Sequence, residues 1–381
     1  MMRILPIFGT RPEVVKMAPV IQALKKTPGC ETVVCVTAQH REMLDQALKL
    51  FAIVPDVDLN LMKPNQTLAQ LTAAIFDNLD PVLEKYQPDW VLVQGDTTTV
   101  MVAALASYYR KIRVGHVEAG LRTGDKWQPF PEEINRRMAS VITDLHFAPT
   151  EHSRQNLLRE GVDDWRIVVT GNPVIDALNE IARRPAPAEV EAMLKQWGVL
   201  DGDRQLVLVT AHRRENFGKP LEDFFAALLA LACEHADRLQ LVYPVHLNPH
   251  VHQLAHQVLG NVPNIALLPP LEYLPMVHLM RRAHLVLTDS GGIQEEATAL
   301  GIPTLVMRQV TERPEGVEAG VLKLVGTDTQ RIIDETNRLL KNSDAYHAMT
   351  KAQNPFGDGQ AAGRIVRALL DFADREQTTH A

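Results

Sequence analysis

Three acidic segments stand in the first part of the chain: Gln94-Gly95-Asp96-Thr97-Thr98-Thr99, His116-Val117-Glu118-Ala119-Gly120-Leu121-Arg122-Thr123-Gly124 and Phe130-Pro131-Glu132-Glu133-Ile134-Asn135-Arg136-Arg137. The first two follow β-branched runs, which puts Asp96 and Glu118 at strand ends. Pro131 at a first helical turn leaves Glu132 near a positive helix end. Singly, Asp96 reads as a helix cap and Glu132 as an exposed first-turn acid. Together they supply what general acid–base chemistry needs, ionisable groups on converging loops whose pKa values can be driven apart.

Other segments suit an anion. Gly9-Thr10-Arg11-Pro12-Glu13 with Lys16 sets two cations near a helix start, or is a strand-to-helix turn carrying surface charge. Thr210-Ala211-His212-Arg213-Arg214-Glu215-Asn216 makes His212 a phosphate ligand or an acid, or opens a charged helix. Thr288-Asp289-Ser290-Gly291-Gly292-Ile293-Gln294-Glu295-Glu296 is the sharpest: Ser290, Gly291 and Gly292 let backbone N–H groups approach a diphosphate, with Glu296 a helical turn onward within reach of ribose hydroxyls. Arg313, in Thr311-Glu312-Arg313-Pro314-Glu315, offers a guanidinium to phosphate. The dinucleotide and Walker-type glycine fingerprints are absent from the first turn, so bound nicotinamide and ATP hydrolysis lose support and no cofactor is expected. His246, His250, His252 and His256 invite a metal, but no acid or thiol is spaced with them, and no metal site is expected.

These groups need a frame. Strand-like runs at 4–8, 32–37, 90–94, 112–117, 145–148 and 166–169 alternate with helical spacing, and the alternation restarts at 206–210, 239–243, 265–268, 285–288, 304–307 and 322–325. This predicts an α/β protein of two doubly wound, Rossmann-like domains facing a cleft. The Pro-rich, charged stretch Arg183-Arg184-Pro185-Ala186-Pro187-Ala188 separates them. With the junction near Gly171, the first domain covers 1–170 and the second 171–354. An amphipathic helix at 360–375, within a closing segment 355–381, packs back on the first domain.

Length agrees, since 381 residues exceed what one growing core fills. A net charge of −7 argues against nucleic-acid binding, leaving phosphate recognition local. Cys30, Cys35 and Cys233 lack paired spacing and read as reduced thiols of a cytoplasmic protein. The apolar start is too short for a signal peptide and the stretch 100–109 is half a bilayer span, so neither export nor membrane insertion is expected.

The Gly9, Gly95, His116, His212 and Asp289 motifs, in this order, closely resemble the non-hydrolysing bacterial UDP-N-acetylglucosamine 2-epimerases. The resemblance runs end to end. It implies a GT-B-like architecture, a cytoplasmic homodimer, and interconversion of UDP-GlcNAc and UDP-ManNAc. It implies catalytic roles for Asp96, Glu118, Glu132 and His212, and nucleotide contacts from Arg11, Lys16, Ser290, Gly291, Gly292, Glu296 and Arg313. Met276 stands where some relatives carry Phe near the uracil. Gln39 and His246 fit the pocket through which a second UDP-GlcNAc activates some relatives, although Glu42 and Asn65 depart from the Gln and Arg of regulated members. A GT-B glycosyltransferase or a non-turning-over nucleotide-sugar sensor shares the frame, and the retained carboxylates favour the epimerase.

Overall fold

A computed structural model describes residues 1–38, 41–63, 65–200, 202–213 and 216–379. The chain forms two compact units, Met1–Asn179 with Phe356–Ala381, and Glu180–Pro355. The sequence places the Pro-rich linker at 183–188 and the junction near Gly171; the units divide between these, inside the helix Pro173–Ala182, most of whose apolar side chains are buried.

The first unit is built on β1 (Met2–Phe8), β2 (Cys30–Thr32), β3 (Cys35–Val36), β4 (Val57–Asp58), β5 (Trp90–Gln94), β6 (Arg113–Val117), β7 (Leu145–Ala148) and β8 (Ile167–Val169). The order is β4-β3-β1-β5-β6-β7-β8, with β2 also on β1, and every pairing is parallel. All of β5 is buried, as expected of a parallel strand covered on both faces. The strand predicted over 32–37 is split. Val34 turns away from β1, its N–H bonding Asp56 Oδ2 at 2.7 Å while its carbonyl accepts from Asp56 and Val57. That turn recruits β4, too short to show any pattern in sequence.

The second unit holds β9 (Gln205–Thr210), β10 (Leu239–Pro244), β11 (Ile265–Leu268), β12 (Leu285–Thr288), β13 (Thr304–Val306) and β14 (Leu322–Leu324). Their order, β11-β10-β9-β12-β13-β14, is parallel throughout. Strand order reverses between β9 and β12 here and between β1 and β5 in the first unit. At such switch points the loops diverge to opposite faces and leave a crevice at the carboxyl ends of the strands.

The chain leaves the first unit and re-enters it at neighbouring points. Gly171 (φ +84°) and Gly357 (φ +136°) lie so close that a Cβ on Gly171 would stand 3.2 Å from the Gly357 Cα, and Asn172 N–H donates to the Phe356 carbonyl at 2.8 Å. The helix Ala361–Thr379 then packs against the helix Arg11–Lys26. Its first N–H groups, on Ala361 and Ala362, donate to the Asp176 carboxylate at 3.1 and 3.0 Å, and Phe372 meets Trp90 edge-on at 5.1 Å. Among the described residues, no helix is long and apolar enough to cross a membrane.

Candidate active site

Glu118 follows β6 with φ +62°, a left-handed conformation that a side-chain-bearing residue keeps only when its surroundings hold it. They do. Lys16 Nζ lies 2.6 Å from both carboxylate oxygens, Asn172 Nδ2 donates to Oε1 at 2.9 Å, and the Gln94 amide donates to Oε2. Both ends of the ion pair are largely buried, at 12% and 4% side-chain exposure, so its attraction is weakly screened. The resemblance gives Lys16 to the nucleotide; the structure sets its ammonium on Glu118.

Asp96 stands between β5 and the helix Thr98–Tyr109, which Thr97 caps by accepting from Val100 N–H. Arg136 pairs with its carboxylate, and Asn135 Nδ2 donates to its carbonyl at 3.0 Å. Both partners sit on the helix Glu132–Ile142, so the helix that begins with half-buried Glu132 is tied to Asp96. Next to it Glu133, fully buried, accepts from the N–H groups of Thr123 and Gly124 and lies 3.4 Å from Arg136. Thus Glu133 braces the loop that follows Glu118.

The first turn is already occupied. Gly9 and Thr10 donate their N–H groups to Glu13 Oε2 at 3.0 and 2.7 Å, and Thr97 Oγ1 donates to Oε1 at 2.8 Å. Burial pushes the Glu13 carboxyl up, and these bonds only partly offset it. The acceptor that fills this turn is therefore the protein's own side chain, while Arg11 sits half-buried at the start of the same helix. His116 donates from Nε2 to the Gly95 carbonyl at 2.7 Å, and burial lowers its pKa to about 4, so at neutral pH it is an uncharged brace for that turn.

In the second unit, the switch point gathers His212 after β9 and Asp289 after β12. Asp289 is wholly buried. Its carboxylate accepts from His212 N–H (3.1 and 3.0 Å), Arg213 N–H (2.9 Å) and Asn216 Nδ2 (3.1 Å), and lies 3.3 Å from His212 Nδ1. Beyond it, Ser290 precedes the helix Gly291–Ala299 without capping it through its side chain. A Cβ on Gly292 would meet nothing within 4 Å, whereas one on Gly291 would lie 2.6 Å from Arg313 Nη1. The Arg313 guanidinium thus lies across the glycine turn, anchored by Nε to Glu295 Oε1 at 2.5 Å. Glu312 lies beside Arg313 and bonds Arg308 at 2.8 Å; burial opposes its ionisation, but Arg313, Arg308 and Arg213 outweigh burial and hold its pKa at about 2. Cationic guanidinium groups and open backbone N–H groups at one helix start are what a diphosphate requires.

Glu296 accepts from the Tyr273 hydroxyl at 2.6 Å, and Met276 is half-buried against the core that contains Leu279 and Ala297. The His246 ring stacks on His212, with centroids 5.7 Å apart. Gln39 lies outside the described residues, and among those described no three metal-binding side chains converge. The sequence reading assigned no role to Gln94, Arg136, Asn172, Asp289, Glu295 or Glu312. Position at a strand end was the available signal for Asp289; nothing local marks Asn172, whose partner Glu118 is 54 residues away.

Two Rossmann-like units, one with carboxylates at its strand ends and the other with an open glycine turn under a guanidinium, define an enzyme of nucleotide-sugar chemistry with GT-B-like architecture. The profile of the UDP-N-acetylglucosamine 2-epimerase family matches residues 22–370. Escherichia coli (strain K12) UDP-N-acetylglucosamine 2-epimerase is 55% identical over 370 residues, 97% of this chain and 98% of that protein. The crystal structure of UDP-GlcNAc 2-epimerase from Neisseria meningitidis bound to UDP-GlcNAc superposes with a TM-score of 0.91 at 48% identity, covering 97% of this chain and 100% of the other. The S. aureus MnaA–UDP structure gives 0.91 at 44%, covering 98% and 97%. The chain belongs to the UDP-N-acetylglucosamine 2-epimerase family.

Proposed function

We propose that this enzyme interconverts UDP-GlcNAc and UDP-ManNAc by eliminating UDP and adding it back. The observation that carries the reading is the clasped Glu118, with Asp96 and the Glu132 helix tied to the same strand ends. The proton on carbon 2 of the sugar is too weakly acidic for direct removal and return. Elimination avoids a free carbanion: a carboxylate takes the proton, the carbon 1–oxygen bond breaks with its electron pair leaving on the β-phosphate, and a carbon 1–carbon 2 double bond forms. The 2-acetamidoglucal stays beside UDP. The phosphate oxygen then attacks carbon 1 while a proton reaches the opposite face of carbon 2.

In this reading Asp96 and Glu132 serve opposite faces of the ring, and Glu118, held by Lys16, supports protonation. His212, Arg11, Ser290, Gly291, Gly292 and Arg313 hold the departing diphosphate, Glu296 the ribose, and Met276 borders the uracil. Incubation with UDP-GlcNAc and no acceptor is the test. An equilibrium mixture with UDP-ManNAc, carrying deuterium at carbon 2 when run in heavy water, supports it; unchanged substrate points to a glycosyltransferase or a sensor.

The enzyme works as a cytoplasmic homodimer supplying activated ManNAc for cell-surface polysaccharide. Ile134, Met138 and Val141 form an exposed apolar stripe at helical spacing, a face suited to a second copy. Sedimentation of wild type as a dimer and of Val141→Glu as a monomer checks the assembly. A second UDP-GlcNAc acting through Gln39 and His246 would make the rate sigmoidal in substrate.

A further inference from the structure

The motif around His212 names the imidazole, but the residue that fixes it comes from 77 positions later in the chain. Asp289 spends its buried carboxylate entirely on the turn after β9: two backbone N–H groups, the Asn216 amide and the His212 ring nitrogen Nδ1. A carboxylate accepts and cannot donate, so a hydrogen bond across this 3.3 Å separation requires the proton on Nδ1. The same residue is followed directly by Ser290, whose N–H bonds Thr288 Oγ1 at 2.9 Å, and Thr288 in turn bonds Thr210 across the strand pair at 2.6 Å. Tyr243 closes the support from β10, its hydroxyl donating to the Ala211 carbonyl at 2.8 Å. Asp289 thus couples the imidazole to the start of the glycine turn in a single rigid unit.

We propose that Asp289 is a positioning residue that locks His212 with its proton on Nδ1 and presents Nε2 to the diphosphate. The His212 side chain is 38% exposed while Asp289 is wholly buried, so ligand meets the ring on the side away from the carboxylate. A proton taken up at Nε2 turns that edge into a charge-assisted donor to phosphate, with the negative charge of Asp289 compensating behind it. The His246 ring lies nearly parallel to the imidazole, with centroids 5.7 Å apart. The role of the diphosphate rests on the function proposed above; the tautomer does not.

Nitrogen-15 NMR of the histidine-labelled full chain reads the lock directly. The ring signals that vanish in His212→Asn are assigned to His212, and in the neutral form of the wild type they are expected to show a protonated Nδ1 and a bare Nε2. A wild-type ring protonated on Nε2 overturns the proposal, and this reading needs no Asp289 variant to fold. In Asp289→Asn the preference is expected to be lost and kcat to fall by about 10²-fold, the scale of misplaced acid–base groups, with a smaller change in KM. In the His212→Asn background the same substitution is expected to change kcat no further; losses that multiply show Asp289 acting independently of the imidazole and overturn the proposal. A wild type that turns over no UDP-GlcNAc defeats the functional reading and leaves the tautomer result standing.

Discussion

Lys16 Nζ lies 2.6 Å from each oxygen of Glu118, a residue 102 positions away, and both side chains are largely withdrawn from water. Removing one partner of such a pair strands the other charge. Lys16→Met is therefore expected to lower stability by roughly 3 kcal/mol, and Lys16→Met with Glu118→Gln to recover much of it. Thermal or denaturant unfolding of the two variants measures this, and equal losses would mean the pair is not coupled.

Asp96→Asn and Glu132→Gln keep their shapes and lose the capacity to take a proton. Each is expected to cut epimerisation by at least about 10²-fold with the fold retained. Product formation from UDP-GlcNAc, alongside circular dichroism, checks it; wild-type turnover in either variant removes that residue from the mechanism.

The two glycines that follow Ser290 should behave differently. A methyl on Gly292 meets nothing within 4 Å, so Gly292→Ala is expected to leave the melting temperature unchanged; if the diphosphate docks there as proposed, UDP binding weakens by about 10-fold or more. Gly291→Ala pushes against the Arg313 guanidinium, which is buried and pinned by Glu295 and Glu312, and is expected to lower the melting temperature as well as weaken UDP binding. Calorimetric titration with UDP distinguishes these outcomes from unaltered affinity.

Acid stability follows from two buried histidines. Burial lowers His116 to about 4 and His146 to about 2, below the ordinary 6.5. The unfolded chain binds protons here that the folded chain refuses, so stability falls as pH drops below about 6.5, by up to ~1.4 kcal/mol per pH unit for each ring. The His116 contribution levels off near pH 4 and that of His146 near pH 2. His146→Leu is expected to show a shallower loss between pH 6.5 and 4, measured by unfolding midpoints.

Much of this was legible in sequence where information is local. Strand runs such as 90–93 and 285–287 show their burial as unbroken apolar residues, and the Ser290-Gly291-Gly292 turn shows its small side chains in its own composition. The broken strand at Val34 was not legible, because Asp56 decides it from a distant segment. The same holds for the clamps on the site. A carboxylate's partners, such as Asn172 on Glu118 or Asp289 on His212, are chosen by sheet order, and periodicity carries no record of that.

The back-to-back glycines at 171 and 357 also bear on how the protein is made. The second unit is continuous, so a ribosome delivers it whole while the first sheet still lacks its last cover, the helix Ala361–Thr379. Until that segment emerges, the face of the helix Arg11–Lys26 that it covers stays bare, and Trp90 waits for Phe372. The unit begun first is finished last, and its longest exposure to chaperones and to misassembly falls during synthesis of the other.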